Sequence, residues 1–219
     1  MSEGLILLTD IGEIWIEKDD EMYLKLSDNF FKSHGISLKI VEKVDREVFP
    51  RLKNEGRRGK MNYREIIERY FKALGCKNYK KLASEYIRFE NRNLRKFYKP
   101  CRHAKQVLSV LKRNSIRIVG LTDTVHSVKE VKRRLRILKM EKYFDEIYTA
   151  NSLRAEKPEA FKFFKGRPLI FLGHDDDEQF GAKKYNFLTI GLNNRNSDFF
   201  ISSITELPEL LKGLKARRV

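Results

Sequence analysis

Cysteine is scarce. Only Cys76 and Cys101 occur among the 219 residues, too few for a disulfide framework or a zinc site, and a reducing cytoplasm is the expected compartment. Long apolar runs are also missing. No stretch approaches the roughly 20 residues that a membrane span needs, so no membrane partner is expected. Acidic Glu3 stands where a signal peptide would be basic, and the chain leads straight into a strand-like run, so no targeting segment is expected. Aromatic stacking motifs and a glycine-rich RNA signature are lacking too, which counts against nucleic-acid binding as the function.

Charge is present in excess of one sign. The chain carries 46 Lys+Arg against 30 Asp+Glu, a net charge of +16. A dense Lys/Glu surface would explain the 35% of charged residues, but not the imbalance. Such a balance favours polyanionic or phosphorylated partners. Residues 16–99 hold 22 basic and 13 acidic residues, a net of +9, and the other 135 residues hold 24 and 17, a net of +7. The segment after the first strand is therefore about twice as positive per residue, as suits a basic lid that attracts an anionic substrate.

The spacing of apolar residues divides the chain. From about 17 to 97 it is helical: Met22, Leu26, Phe30 and Phe31 recur at helix spacing, as do Ile40, Val41, Val44 and Val48. In "NYREIIERYFKALG", Asn62 and Glu65 form a capping-box start and Gly75 a stop. A further helix is expected from Tyr79 to Leu94, and no strand in this stretch. After Pro100, helices alternate with strands. "IRIVGLTD", "FDEIYTA", "PLIFLGHD" and "FLTIGL" read as strands; "AKQVLSVLKRN", "SVKEVKRRLRIL", "PEAFKFF", "FGAKKYN" and "LPELLKGL" read as helices. Alternation of this kind predicts an α/β fold, a Rossmann-like parallel sheet. The expected domains are an α/β core, 1–15 and 98–219, and an inserted all-helical cap, 16–97.

Three strand-like runs stop in one way: "LILLTD" at Asp10, "IVGLTD" at Asp123 and "IFLGHD" at Asp175. In a parallel sheet, ligands bind at the carboxyl ends of the strands. Taken singly, a strand-end Asp is an ordinary turn residue; Thr122 would serve as a helix cap and Lys157 as a surface lysine. Together they resemble the motif series of the haloacid dehalogenase (HAD) superfamily of phosphatase-like hydrolases. "LTDIG", "VGLTD", "EKPEAF" and "FLGHDDDEQFGAKKYNFLTIGL" occur in that family's order, and the helical block after the first motif is similar to its helical cap.

The resemblance implies an activity. Asp10 would be the nucleophile, forming an aspartyl-phosphate. Lys157 would stabilise charge, and Thr122, Asp123 and Lys157 would bind the phosphoryl group. Mg²⁺ would be held by Asp10, the backbone carbonyl of Gly12 and Asp175, with Asp176 supporting from behind. Asp176, Asp177 and Glu178 otherwise read as a solvated acidic turn, and His174 as a neutral turn residue. The expected partner is a small phosphorylated substrate, with nucleic acid the less favoured one. The pattern breaks at Gly12, where the family's phosphatases usually carry a second Asp that protonates the leaving oxygen. Glu13, one residue on, is the weak candidate for that acid. Two other readings follow from the gap. One is a non-hydrolytic relative that binds nucleic acid, phosphate ligands or a protein through its basic cap. The other, less suited to an acidic "DDD" loop, is a dehalogenase.

Overall fold

The computed structural model describes residues 5–167 and 169–216. Glu3 of the N-terminal reading and Pro168 of "PLIFLGHD" lie outside them. The order is β1 (Ile6–Thr9), β2 (Ile16–Lys18), α1 (Asp20–Ser33), α2 (Leu38–Glu47), α3 (Phe49–Arg57), α4 (Tyr63–Ala73), α5 (Tyr79–Phe97) and β3 (Tyr98–Pro100). Then follow α6 (Ala104–Arg113), β4 (Arg117–Thr122), α7 (Val128–Ile137), β5 (Glu146–Thr149), α8 (Ala150–Leu153), β6 (Leu169–Gly173), α9 (Asp176–Lys184), β7 (Leu188–Leu192), β8 (Phe199–Ile201) and α10 (Leu207–Ala216).

Six strands form one parallel sheet in the order β5-β4-β1-β6-β7-β8. This is the Rossmann-like core that the alternation predicts. Its central strands are apolar on both faces. Leu5 and Leu7, Ile116 and Ile118, and Ile170 and Leu172 join the cluster beneath α6, α7 and α10. Leu8, Val119, Leu121, Leu169 and Phe171 pack on the other face with Phe161 and Phe164. Alternate residues feed opposite faces, so both must be covered by helices. None of the described helices is long and apolar enough to cross a membrane.

Three details differ from the sequence expectation. Strand β2 reaches into the stretch where none was expected and pairs antiparallel with β3, Lys18 opposite Tyr98. Three-residue strands are too short to show a period. "PEAFKFF" forms a 3-10 helix over Glu159–Phe164, and β8 extends the sheet by one strand beyond "FLTIGL".

The five helices α1 to α5 leave and rejoin the sheet unit through the β2–β3 ribbon. Their own core gathers Phe30, Phe31, Ile66, Phe71 and Tyr86. Val125, from the loop after β4, enters that core from the sheet side. The contact is close because α3 has a glycine there. A Cβ on Gly56 would collide with Ile66 Cδ1 and lie 3.1 Å from Val125 Cγ1. Asn151 Nδ2 adds donated hydrogen bonds to Gly56 O (2.8 Å) and Met61 O (3.2 Å). Gly56→Ala should therefore cost about 1–3 kcal/mol by overpacking, read as a lower midpoint in urea unfolding. An unchanged midpoint would mean that α3 does not seat tightly on Val125.

Candidate active site

Strand β1 ends at the centre of the sheet. Asp10 stays in register with its neighbour by donating its N–H to Leu172 O (3.2 Å). The turn beyond is fixed from below: buried Trp15 donates from Nε1 to Thr9 Oγ1 (2.9 Å), and that hydroxyl donates to Asp10 O (2.9 Å). Asp10 is 8% exposed, and its Oδ1 accepts from the N–H of Ile11 (2.7 Å).

Lys157 lies beside it. Its side chain is 1% exposed, with Nζ 3.2 Å from Asp10 Oδ1 and 3.8 Å from Asp123 Oδ2, and in close contact with Glu178 Oε1. The Lys157 N–H also donates to Asp123 Oδ1 (2.9 Å), tying the loop before Pro158 to the end of β4. Burial pulls the lysine's pKa down, but Asp10, Glu178 and Asp123 outweigh it and hold it raised. Burial pushes the Glu178 and Asp123 carboxyls up, against the pull of Lys157.

The structure thus brings together Asp10, Asp123 and Lys157. Thr122, at the end of β4, lines a cleft of about 350 Å³ with Gly12 and Glu13. The carbonyl of Gly12 accepts the Ile14 N–H (2.6 Å). Glu13 adopts a left-handed backbone (φ 59°), which costs a non-glycine residue about 1 kcal/mol, and its Oε2 lies 3.1 Å from His174 Nε2.

The fourth motif is arranged otherwise than expected. The side chain of Asp175 is 64% exposed, and its Oδ2 lies 3.6 Å from His174 Nε2. Asp176 accepts from Asn194 Nδ2 (2.8 Å) and Asn196 Nδ2 (2.9 Å), which ties the loop before β8 to the start of α9. Glu178, taken from sequence as part of a solvated turn, is 7% exposed and points inward. It shares the buried face of α9 with Gln179 and Ala182, one turn on. That spacing is the one sequence signal that could have found it. Gly173 makes room, since a Cβ there would stand 2.8 Å from Glu178 Oε2.

Asp10, His174 and Glu178 each offer a ligand atom, all within 4.8 Å of one another. Glu178 Oε2 and His174 Nδ1 are buried without a hydrogen-bond partner. Three carboxylates surround one ammonium here, leaving an excess of negative charge. A divalent cation fits that excess and those two orphaned atoms. The imidazole departs from the oxygen-only set expected for Mg²⁺.

Removing the ammonium would leave buried Asp10 and Glu178 and half-buried Asp123 uncompensated. Lys157→Met should destabilise the protein by about 3–5 kcal/mol, seen as a lower unfolding midpoint near neutral pH and a smaller loss in acid, where the carboxyls protonate. A loss that does not change with pH would show that packing, not charge, is the lysine's contribution.

The haloacid dehalogenase-like hydrolase family model matches residues 34–167. Among solved structures, Bacillus subtilis YfnB bound to magnesium is similar over 95% of this chain and 99% of its own, with 18% identity and a TM-score of 0.64. A HAD phosphatase from Thermococcus onnurineus is similar over 96% and 98%, with 18% identity and a TM-score of 0.62. L-2-haloacid dehalogenase from Xanthobacter autotrophicus is similar over 96% and 99%, with 13% identity and a TM-score of 0.60. At these identities the likeness is one of fold. No curated protein matches the chain significantly. The family model spans more than half of the sequence, and on that ground the chain belongs to the haloacid dehalogenase-like hydrolases.

Proposed function

We propose that this hydrolase is phosphatase-like, cleaving a small phosphorylated compound through an aspartyl-phosphate on Asp10. The observation that carries it is the group of buried Asp10, Glu178 and Lys157 with half-buried Asp123, gathered beyond the carboxyl ends of the adjacent parallel strands β1, β4 and β6. An Asp10 oxygen attacks phosphorus, and the bond from phosphorus to the leaving oxygen breaks. Water then attacks the phosphorus of the acyl phosphate, releasing phosphate and regenerating Asp10. Lys157 orients the nucleophile and offsets the charge of the phosphoryl oxygens. The hydroxyl of Thr122 and the N–H of Asp123 are the donors assigned to one of those oxygens. A reducing cytoplasm is the compartment assumed, in keeping with the free thiols of Cys76 and Cys101.

Asp10 and Glu178, with His174, would hold the cation, in our reading Mg²⁺, while the Gly12 carbonyl and Asp175 stand further down the order of preference. When bound, such a cation offsets the repulsion between the nucleophile and an anionic substrate. The helical segment, 16–97 in this assignment, acts as a cap whose basic residues draw in the substrate.

Gly12 leaves no carboxylate to protonate the leaving oxygen. Glu13, paired with His174 at 3.1 Å, is the group assigned to it, so turnover is expected to be slow. The same gap favours one second reading, a non-hydrolytic protein that binds phosphate compounds.

An aryl phosphate assay separates the two. Turnover that requires a divalent cation and disappears in Asp10→Asn is expected; none above the Asp10→Asn background would leave the non-hydrolytic reading. Open space lies where a Cβ of residue 12 would be, so Gly12→Asp should fit, and it should raise the rate toward the roughly 10²–10⁴-fold worth of a general acid. An unchanged rate would mean that Glu13 or the substrate already supplies the proton. The imidazole of His174 also predicts tighter calorimetric binding of Mn²⁺ or Co²⁺ than of Mg²⁺. Equal affinities, or a preference unaltered in His174→Asp, would remove His174 from the ligand set.

A further inference from the structure

Every exposed residue of α5 is basic: Lys80, Lys81, Arg88, Arg92, Arg95 and Lys96. The same holds for α7, where Lys129, Lys132, Arg133 and Arg136 are the exposed ones. The two helices pack against each other, and Arg133 lines their seam with Asn91 and Leu94. One basic face thus crosses from the helical segment to the sheet unit.

The acids of both helices are used inside the protein. Glu85 meets His34 (3.2 Å), Glu90 accepts from the hydroxyls of Tyr23 (3.2 Å) and Tyr63, and Glu130 accepts from the N–H and hydroxyl of Ser127 (both 2.8 Å). Arg136 pairs with Glu141. Among the described residues, no carboxylate lies within ion-pair distance of the other cations of this face. Arg88 and Arg92, Arg92 and Lys96, and Lys129 and Arg133 stand one helical turn apart, as like-charged pairs that destabilise a helix. A face shaped only for solubility mixes the signs, as α2 does with Lys39, Lys43 and Arg46 among Glu42 and Glu47.

From Lys81 to Lys96 the face runs roughly 22 Å at the helical rise, longer than a small anion can cover. Arginine dominates its centre, and the planar guanidinium binds phosphate oxygens two at a time. Along one side lies a groove of about 510 Å³ lined by Phe30, His34, Phe89, Arg88 and Arg92. His34 stacks on Phe30 (4.2 Å between centroids), and half-buried Phe89 adjoins Phe30 (5.2 Å). No sequence motif marks this platform, because His34 follows α1 and Phe89 belongs to α5. Cations that track a backbone beside rings on which a base can stack characterise single-strand sites. A membrane surface would leave the groove unused, and an acidic peptide brings charge without a ring at each step.

We propose that this face binds single-stranded nucleic acid, with phosphates on Arg88, Arg92, Arg95 and Arg133 and a base in the groove of His34 and Phe89. None of these residues lines the cleft over Gly12 and Thr122, and the assignment stands apart from the phosphatase-like reading.

Fluorescence anisotropy of the full-length protein with a labelled oligothymidylate about 15 nucleotides long, enough for such a site, tests it. Affinity should fall with salt at a log–log slope of about −3, the value for four neutralised phosphates. Arg88→Glu with Arg92→Glu should weaken binding about tenfold or more, with circular dichroism showing a folded protein. Arg88→Gln with Arg92→Gln should shift it less, in the same direction. Lys39→Glu with Lys43→Glu makes an equal change of net charge on α2 and should leave affinity largely unchanged. An abasic oligomer of the same length should bind about tenfold more weakly than the oligothymidylate. A flat salt response, or equal losses from the α5 and α2 pairs, would overturn the assignment of this face. Equal binding of the abasic oligomer, or tighter binding of polyglutamate or phosphatidylserine vesicles, would overturn nucleic acid as its partner.

Discussion

The buried ammonium of Lys157 is the interaction on which the site depends. It holds Asp10, Asp123 and Glu178 at the ends of three different elements: β1, β4 and the first turn of α9. Without a cation, buried Asp10 and Glu178 and half-buried Asp123 would repel one another at close range. With one, they still carry excess negative charge, which a bound cation would offset. The sheet makes this possible. Its central strands are apolar on both faces, so their ends are the one place where polar side chains can emerge from the core and meet.

The turn after β1 shows which parts of the machinery are kept. Trp15, Thr9 and the carbonyl of Asp10 form a buried hydrogen-bonded chain that fixes the turn independently of what stands at position 12. The scaffold is therefore complete although Gly12 offers no acid. Glu13 turns instead toward His174, with Oε2 3.1 Å from Nε2. Beside that turn, Lys157 keeps Asp10 and Asp123 together.

Much of this was legible in the sequence. The parallel sheet followed from apolar runs alternating with helical periods; Asp10 and Asp123 stood out as acids at the ends of those runs, and Thr122 and Lys157 only through the resemblance of "VGLTD" and "EKPEAF" to a family's motifs. Glu178 was hidden in "DDDE", where three exposed acids mask the one that faces inward; only its spacing to Ala182 marks the buried face. The β2–β3 ribbon and β8 are three residues per strand, too short for any period to register.

The central claim is that Asp10 takes the phosphoryl group. Rapid acid quench during incubation with an aryl phosphate and a divalent cation, followed by peptide mass spectrometry, tests it directly. The account predicts an acid-stable, base-labile phosphoryl adduct on the peptide containing Asp10, absent from Asp10→Asn. Phosphate release with Asp10 unmodified at every quench time, and undiminished in Asp10→Asn, would contradict it.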